Sequence, residues 1–179
     1  ELERIEIQAL LEAVYHWWGY DFRNYAPASL KRRLVNFLKS EKLSTISGLQ
    51  EKVLHDRERL ERLLLAISVN VTAMFREPPF FIAFRESVVP FLMTYPFFRI
   101  WCAGCCTGEE AYSLAILLTE EDLLERCQIY ATDMNEAVLK KAKGGIYHLS
   151  QMKEYTRNYL AAGGKQAFSD YYTSAYDNA

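Results

Sequence analysis

No apolar run in this 179-residue chain approaches the roughly 18 residues a membrane-spanning helix needs; the longest, Ala111 to Leu118, covers about eight. Histidine is scarce. His16, His55 and His148 stand too far apart to suggest a metal or catalytic pair, and they read as structural. Cysteine is scarce too, with four residues at 102, 105, 106 and 127. A disulfide scaffold of this size would need more of them, better dispersed. Cys102-x-x-Cys105 has the inner spacing of a zinc site, yet no second pair and no histidine completes it, so no metal is expected. The thiols read as small, reduced, half-buried side chains. A basic excess is also missing: 21 Lys and Arg stand against 23 Asp and Glu, a net charge of −2. The molecule as a whole therefore lacks the electrostatic signature of a nucleic-acid binder. The opening stretch, "ELERIEIQALLEAV", is acidic and amphipathic, unlike a secretory signal, and a cytoplasmic location is expected.

What is present suits a globular protein with a real core, since half the residues are hydrophobic and a quarter charged. The first stretch, 1–67, reads as a small all-helical bundle. Ile5, Ala9, Leu10, Ala13 and Val14 recur at helical spacing. In "SLKRRLVNFLKSEKL", Leu30, Leu34, Phe37 and Leu38 form one face, and Arg32, Asn36 and Lys39 the opposite one, with Arg33 beside them. A third helix starts after a cap at Ser44 or Ser47, and a fourth carries Leu60, Leu63, Leu64 and Ile67. Trp17 and Trp18 are expected to pack within this bundle.

The pattern changes over 68–96, where Pro78 and Pro79 are expected to stop any helix and "FIAFRESVVPFLM" forms a short one ended by Pro90 or Thr94. Phe75, Phe80 and Phe81 are expected in the core. From 97 to 179 the chemistry is α/β. "FFRIWCAG" reads as a buried strand and "CQIYATD" as a second strand. "EEAYSLAILLTEEDLLE" and "MNEAVLKKAKGGI" read as helices, the second closed by Gly144 and Gly145. Strand–helix alternation of this kind gives a parallel sheet. The stretch from Tyr147 onward shows no clear period.

The turn after the first strand holds Gly104 and Gly108 and is followed at once by Glu109 and Glu110. Ligands of open α/β sheets bind beyond the carboxyl ends of the strands, where this turn lies. It is no P-loop, because only three residues separate the glycines and Glu109 stands where lysine belongs. The dinucleotide fingerprint fails as well, since Cys106 replaces its second glycine, and acids at the helix start would repel a pyrophosphate. A phosphate-free cationic nucleoside fits better, and S-adenosylmethionine, with its sulfonium, ammonium and ribose diol, is of that kind. Asp133 ends the second strand, where a carboxylate can accept both ribose hydroxyls. Blander readings stand beside these. Glu109 can simply complement the helix dipole, and Asp133 can cap a helix starting at Asn135. A nicotinamide oxidoreductase is a further reading, weakened by Cys106 and the paired glutamates.

Three stretches carry a family resemblance: "SVNVTAMFREPPFF", "RIWCAGCCTGEEAYSLAILL" and "IYATDMNEAVLKKAKGGIY". The chain resembles CheR-type chemoreceptor glutamate methyltransferases over essentially its whole length. The pairing of Asn-x-Thr-x-x-x-Arg with Ala-Gly-x-x-Thr-Gly-Glu-Glu is the most specific part. The resemblance implies a helical N-terminal domain (1–67) with a basic, receptor-facing helix presenting Arg32, Arg33 and Lys39. It implies a linker and helix (68–96) that contribute to the cofactor pocket, and a Rossmann-like methyltransferase domain of which 97–179 is the first part, cut short at its C-terminus. S-adenosylmethionine would be the methyl donor, S-adenosylhomocysteine the product, and glutamates on the cytoplasmic helices of chemoreceptors the acceptors. Asn70, Thr72, Arg76, Glu110 and Asp133 would line the cofactor pocket, with Arg76 as the catalytic, orienting cation. The alternative is a receptor-docking module that binds the cofactor without transferring a methyl group, and a shortened sheet is expected to favour self-association.

Overall fold

The computed structural model describes residues 1–68 and 72–175. The chain divides into two compact units, Glu1–Val69 and Asn70–Ala179.

The first unit holds four helices: α1 (Leu2–Trp18), α2 (Pro27–Ser40), α3 (Ile46–His55) and α4 (Arg57–Ile67). Each buries one stripe. Leu10 and Val14 come from α1, Leu30, Leu34 and Phe37 from α2, Leu49 and Val53 from α3, and Leu60, Leu63, Leu64 and Ile67 from α4. Local chemistry sets the ends. Gly19 takes φ 81 and closes α1 through its N–H on the Tyr15 carbonyl. The cap of α3 is Thr45, between the two serines expected, because its Oγ1 sits where it accepts the Gly48 amide at 3.0 Å. Asp56 caps α4 by accepting the Arg59 amide at 3.2 Å. Trp18 packs on the core and donates from its indole to the Val53 carbonyl, whereas Trp17 is 68% exposed, contrary to expectation.

In the second unit Pro78 and Pro79 begin a helix instead of stopping one. α5 (Pro78–Ala83) has proline in its first turn, where a missing N–H costs nothing. A π turn over Phe84–Val88 links α5 to α6 (Val89–Leu92). The wide turn precedes Pro90, which cannot donate to the Glu86 carbonyl. Phe75 and Phe81 are core residues, while Phe80 is half-exposed.

Strand β1 (Phe98–Ala103) runs parallel to β2 (Cys127–Thr132), with Phe98 opposite Cys127 and Ala103 opposite Thr132. Parallel neighbours need a crossover, supplied by α7 (Glu109–Glu120). This helix ends earlier than its apolar pattern suggests. Asp122 turns left-handed at φ 54, and a 3₁₀ turn, Leu124–Arg126, leads into β2. α8 (Glu136–Gly144) follows β2 and is closed by Gly145 at φ 59. The stretch after Tyr147, expected to lack periodicity, forms α9 (Leu149–Ala161), which buries Met152, Tyr155 and Tyr159. Phe98 and Cys102 face the core of this unit; Trp101 and Tyr130 lie opposite each other on the exposed sheet face. Among the described residues no helix is long and apolar enough to cross a membrane.

Candidate functional site

Because β1 and β2 are parallel and in register at Ala103 and Thr132, the turns leaving them lie side by side. Gly104 and Cys105 both donate backbone N–H to the Thr132 carbonyl, at 2.8 and 2.9 Å, which ties the first turn to the second strand. Gly104, Cys106 and Gly108 all take positive φ, at 77, 52 and 99. A Cβ on Gly104 would meet nothing within 4 Å, so the backbone there faces open space. A Cβ on Gly108 would lie 3.0 Å from the Ala142 Cβ and 3.2 Å from the Tyr147 hydroxyl. Gly108 therefore makes room for α8, whereas Gly104 borders open space.

Asp133 joins the two turns. One carboxylate oxygen accepts the Cys106 amide at 3.0 Å and the other accepts the Asn135 amide at 2.9 Å. The cap of α8 is Asn135 itself, whose Oδ1 accepts the Ala137 amide at 2.9 Å; Asp133 supports that cap without being it. The Asn135 Nδ2 is buried and has no hydrogen-bond partner among the described residues.

The two adjacent glutamates part company. Glu110 is exposed. Burial pushes the Cys102 thiol up to about 11, and the charge of Glu110 adds to the shift. Burial also raises the Cys105 thiol, with contributions from Asp133 and Glu110, so both acids act on this one turn. Glu109 is 3% exposed and accepts from Thr107 Oγ1 at 2.7 Å and from the Tyr155 hydroxyl at 3.3 Å. Tyr147 donates to the Thr107 carbonyl at 2.8 Å. Burial, then the Glu109 charge, raises both tyrosines above their ordinary range, so both stay protonated as donors. Glu109 with its hydroxyl partners thus pins the turn from behind. Its buried role was not legible, because Tyr147 and Tyr155 lie far along the chain. Among the described residues no cluster of His, Cys, Asp and Glu could hold a metal ion.

The stretch before α5 lies against α7. Phe75 donates its amide to Ser113 Oγ at 2.8 Å, one turn beyond Glu109. Arg76 follows and is exposed; Thr72 is half-buried; Asn70 lies outside the described residues. In the first unit Arg32 and Lys39 are exposed on α2. Arg33 is half-buried and donates Nη1 to the Ser68 carbonyl at 2.8 Å, so it is engaged within its own unit.

A parallel βα pair with an open, acid-rimmed turn at its carboxyl edge defines the ligand-binding end of an open α/β protein. Residues 70–174 match the family described as CheR methyltransferase, SAM binding domain, and residues 5–68 match CheR methyltransferase, all-alpha domain. The chain belongs to the CheR methyltransferase family, and S-adenosylmethionine is the cofactor of its second domain. A Pseudomonas putida protein named Cher3 and assigned as a methyltransferase is 53% identical over 175 residues, 98% of this chain and 64% of that protein. A Listeria innocua chemotaxis protein methyltransferase is 33% identical over 138 residues, 76% of this chain and 53% of that protein. The Escherichia coli chemotaxis protein methyltransferase is 27% identical over 164 residues, 89% and 56% of the two chains. The chain thus spans 53% to 64% of the length of these relatives.

Proposed function

We propose that this chain binds S-adenosylmethionine at the two turns and, with Arg76, transfers its methyl group to glutamate side chains of chemoreceptors. The carrying observation is Asp133. Each of its oxygens accepts one backbone amide, which leaves a second lone pair on each for the ribose hydroxyls of a nucleoside. The open face at Gly104, the exposed Glu110 and the Asn135 Nδ2, without a partner among the described residues, fit the same ligand. Asn70 and Thr72 would complete the pocket from the linker.

The bound cofactor supplies an electrophilic methyl on a sulfonium. The acceptor needs no base from the protein: a glutamate with a pKa of about 4.3 is already a carboxylate at neutral pH. The task left to the chain is positioning, which contributes several kcal/mol when reacting atoms are held in line. Arg76 orients a carboxylate by charge-assisted hydrogen bonds. Arg32, Arg33 and Lys39 give α2 a basic face for the acidic acceptor, with Arg33 contributing from its anchored position.

Titration calorimetry with S-adenosylhomocysteine, together with labelled methyl transfer to a recombinant cytoplasmic fragment of a chemoreceptor, tests the reading. Wild type should bind and transfer, and Asp133→Ala should weaken binding by at least about ten-fold, through loss of two hydrogen bonds to a charged acceptor. Unchanged affinity in the variant would remove the nucleoside assignment. Binding without transfer would instead favour a receptor-docking module.

A further inference from the structure

The peptide group that joins Met74 to Phe75 is gripped at both ends by side chains from two different helices. Its carbonyl accepts Asn158 Nδ2, from α9, at 3.2 Å. Its N–H donates to Ser113 Oγ, from α7, at 2.8 Å. Ser113 is 0% exposed, and its hydroxyl proton goes to the Glu109 carbonyl at 2.6 Å, which aims an oxygen lone pair at Phe75. The residue that follows this peptide is unusual. Phe75 has φ 51, a conformation that bulky side chains rarely adopt, and its ring is fully buried against Phe81, Tyr159 and Phe168. Glu77, two residues on, has φ 59. Arg76 lies between these two left-handed residues, its amide donating to the Ala73 carbonyl at 3.2 Å. Such backbone persists only where its surroundings over-determine it, and it gathers at functional sites.

We propose that Ser113 and Asn158 are positioning residues for Arg76. By fixing one peptide plane from α7 and α9, they hold Phe75 left-handed and so set the direction in which the chain delivers the Arg76 guanidinium. Ser113 also bonds to the carbonyl of Glu109, the residue that pins the glycine turn, so the same hydroxyl registers the arginine-bearing loop against the cofactor turn. The inference rests on the reading that Arg76 orients a carboxylate during methyl transfer.

Two measurements on the full chain test it. The first is the rate of labelled methyl transfer to the receptor fragment at saturating S-adenosylmethionine, with S-adenosylhomocysteine affinity measured beside it. Ser113→Ala and Asn158→Ala should each lower kcat by about ten-fold, in keeping with the sensitivity of positioned groups to small displacements. Affinity for S-adenosylhomocysteine should fall less than kcat does, because Glu110 and Asp133 are untouched and only the Arg76 side of the pocket is disturbed. Ser113→Thr keeps the hydroxyl and should retain most of the rate, and it serves also if the alanine variant does not fold. Folded variants with unchanged kcat would overturn the proposal. The second measurement needs no turnover. Deuterium exchange at the Phe75 amide should accelerate at least about ten-fold in Asn158→Ala, although that change leaves the Ser113 bond in place, because the plane is held cooperatively. No acceleration would overturn the grip. Wild type that binds the product yet transfers nothing would sink the transferase reading instead, with exchange still deciding whether the grip exists.

Discussion

The two glycines of the turn after β1 show how one residue type serves two purposes a few positions apart. Both were visible as glycines between a strand and a helix. Which of them faces open space was not, because the answer lies with Ala142 and Tyr147, brought up only by the packing of α8. Gly104→Ala should cost roughly 1–2 kcal/mol, the strain of a left-handed alanine with space around it. Gly108→Ala carries the same strain and also drives a methyl against the backbone of α8, a contact no rotamer can relieve. Its cost should be larger, about 3 kcal/mol or more. Urea unfolding of the two variants checks the order, and equal losses would contradict the packing role given to Gly108. The adjacent glutamates make the same point in reverse. Glu110 is exposed at the start of α7, while Glu109 is buried behind it, held by neighbouring Thr107 and by the Tyr155 hydroxyl, which is too distant in sequence to foresee.

At the scale of elements, α9 was the one the sequence concealed. Its buried face is built from Met152, Tyr155 and Tyr159 rather than aliphatics, so the apolar stripe was disguised by hydroxyls. Those hydroxyls are spent on carboxylates: Tyr155 on Glu109, and Tyr159 on Glu120 at the end of α7. Glu120 is where the π turn, α9 and the following chain converge. It also accepts from Arg85, from the Lys165 amide and from Tyr171, with Glu121 beside it shared between Arg85 and Lys165. Burial pushes the Glu120 carboxyl up, but these donors together outweigh burial and leave it below the ordinary value of 4.5. A carboxyl lowered on folding stabilises above its ordinary value and loses that contribution as pH falls through the folded value. Glu120→Gln should therefore destabilise the second unit by roughly 2 kcal/mol at pH 7, the scale of hydrogen bonds to a charged group. The gap from wild type should narrow as pH drops below about 4.5. Urea midpoints from pH 7 to pH 3 read this, and a gap that holds constant would mean that Glu120 is not the titrating group.

For the molecule as a whole, the helical bundle and the α/β unit have separate cores that share no residue. The four helices were legible because aliphatic residues recur cleanly along each of them. The loss of helical period after Ile67 is a change of pattern in the sequence, and the two compact units meet between Val69 and Asn70. Separate cores allow the two proposed duties, docking charge on one unit and cofactor binding on the other, to be tested apart. Arg32 and Lys39 are the exposed cations of the α2 face, whereas Lys31 is paired with Glu3 and Arg33 with backbone carbonyls. Reversing the two exposed charges, Arg32→Glu with Lys39→Glu, should leave S-adenosylhomocysteine affinity and the melting temperature unchanged, since neither residue touches a core. Methyl transfer to an acidic receptor fragment should fall by about ten-fold or more at low salt, because complementary surface charge acts mainly on encounter rates. Salt supplies the control. At roughly 0.5 M the screening length is only a few ångströms, and the wild-type and reversed proteins should converge as the wild-type rate drops toward the variant's. If the deficit persists undiminished at high salt, or if cofactor affinity falls with it, the charges act on the fold or the chemistry and not on docking.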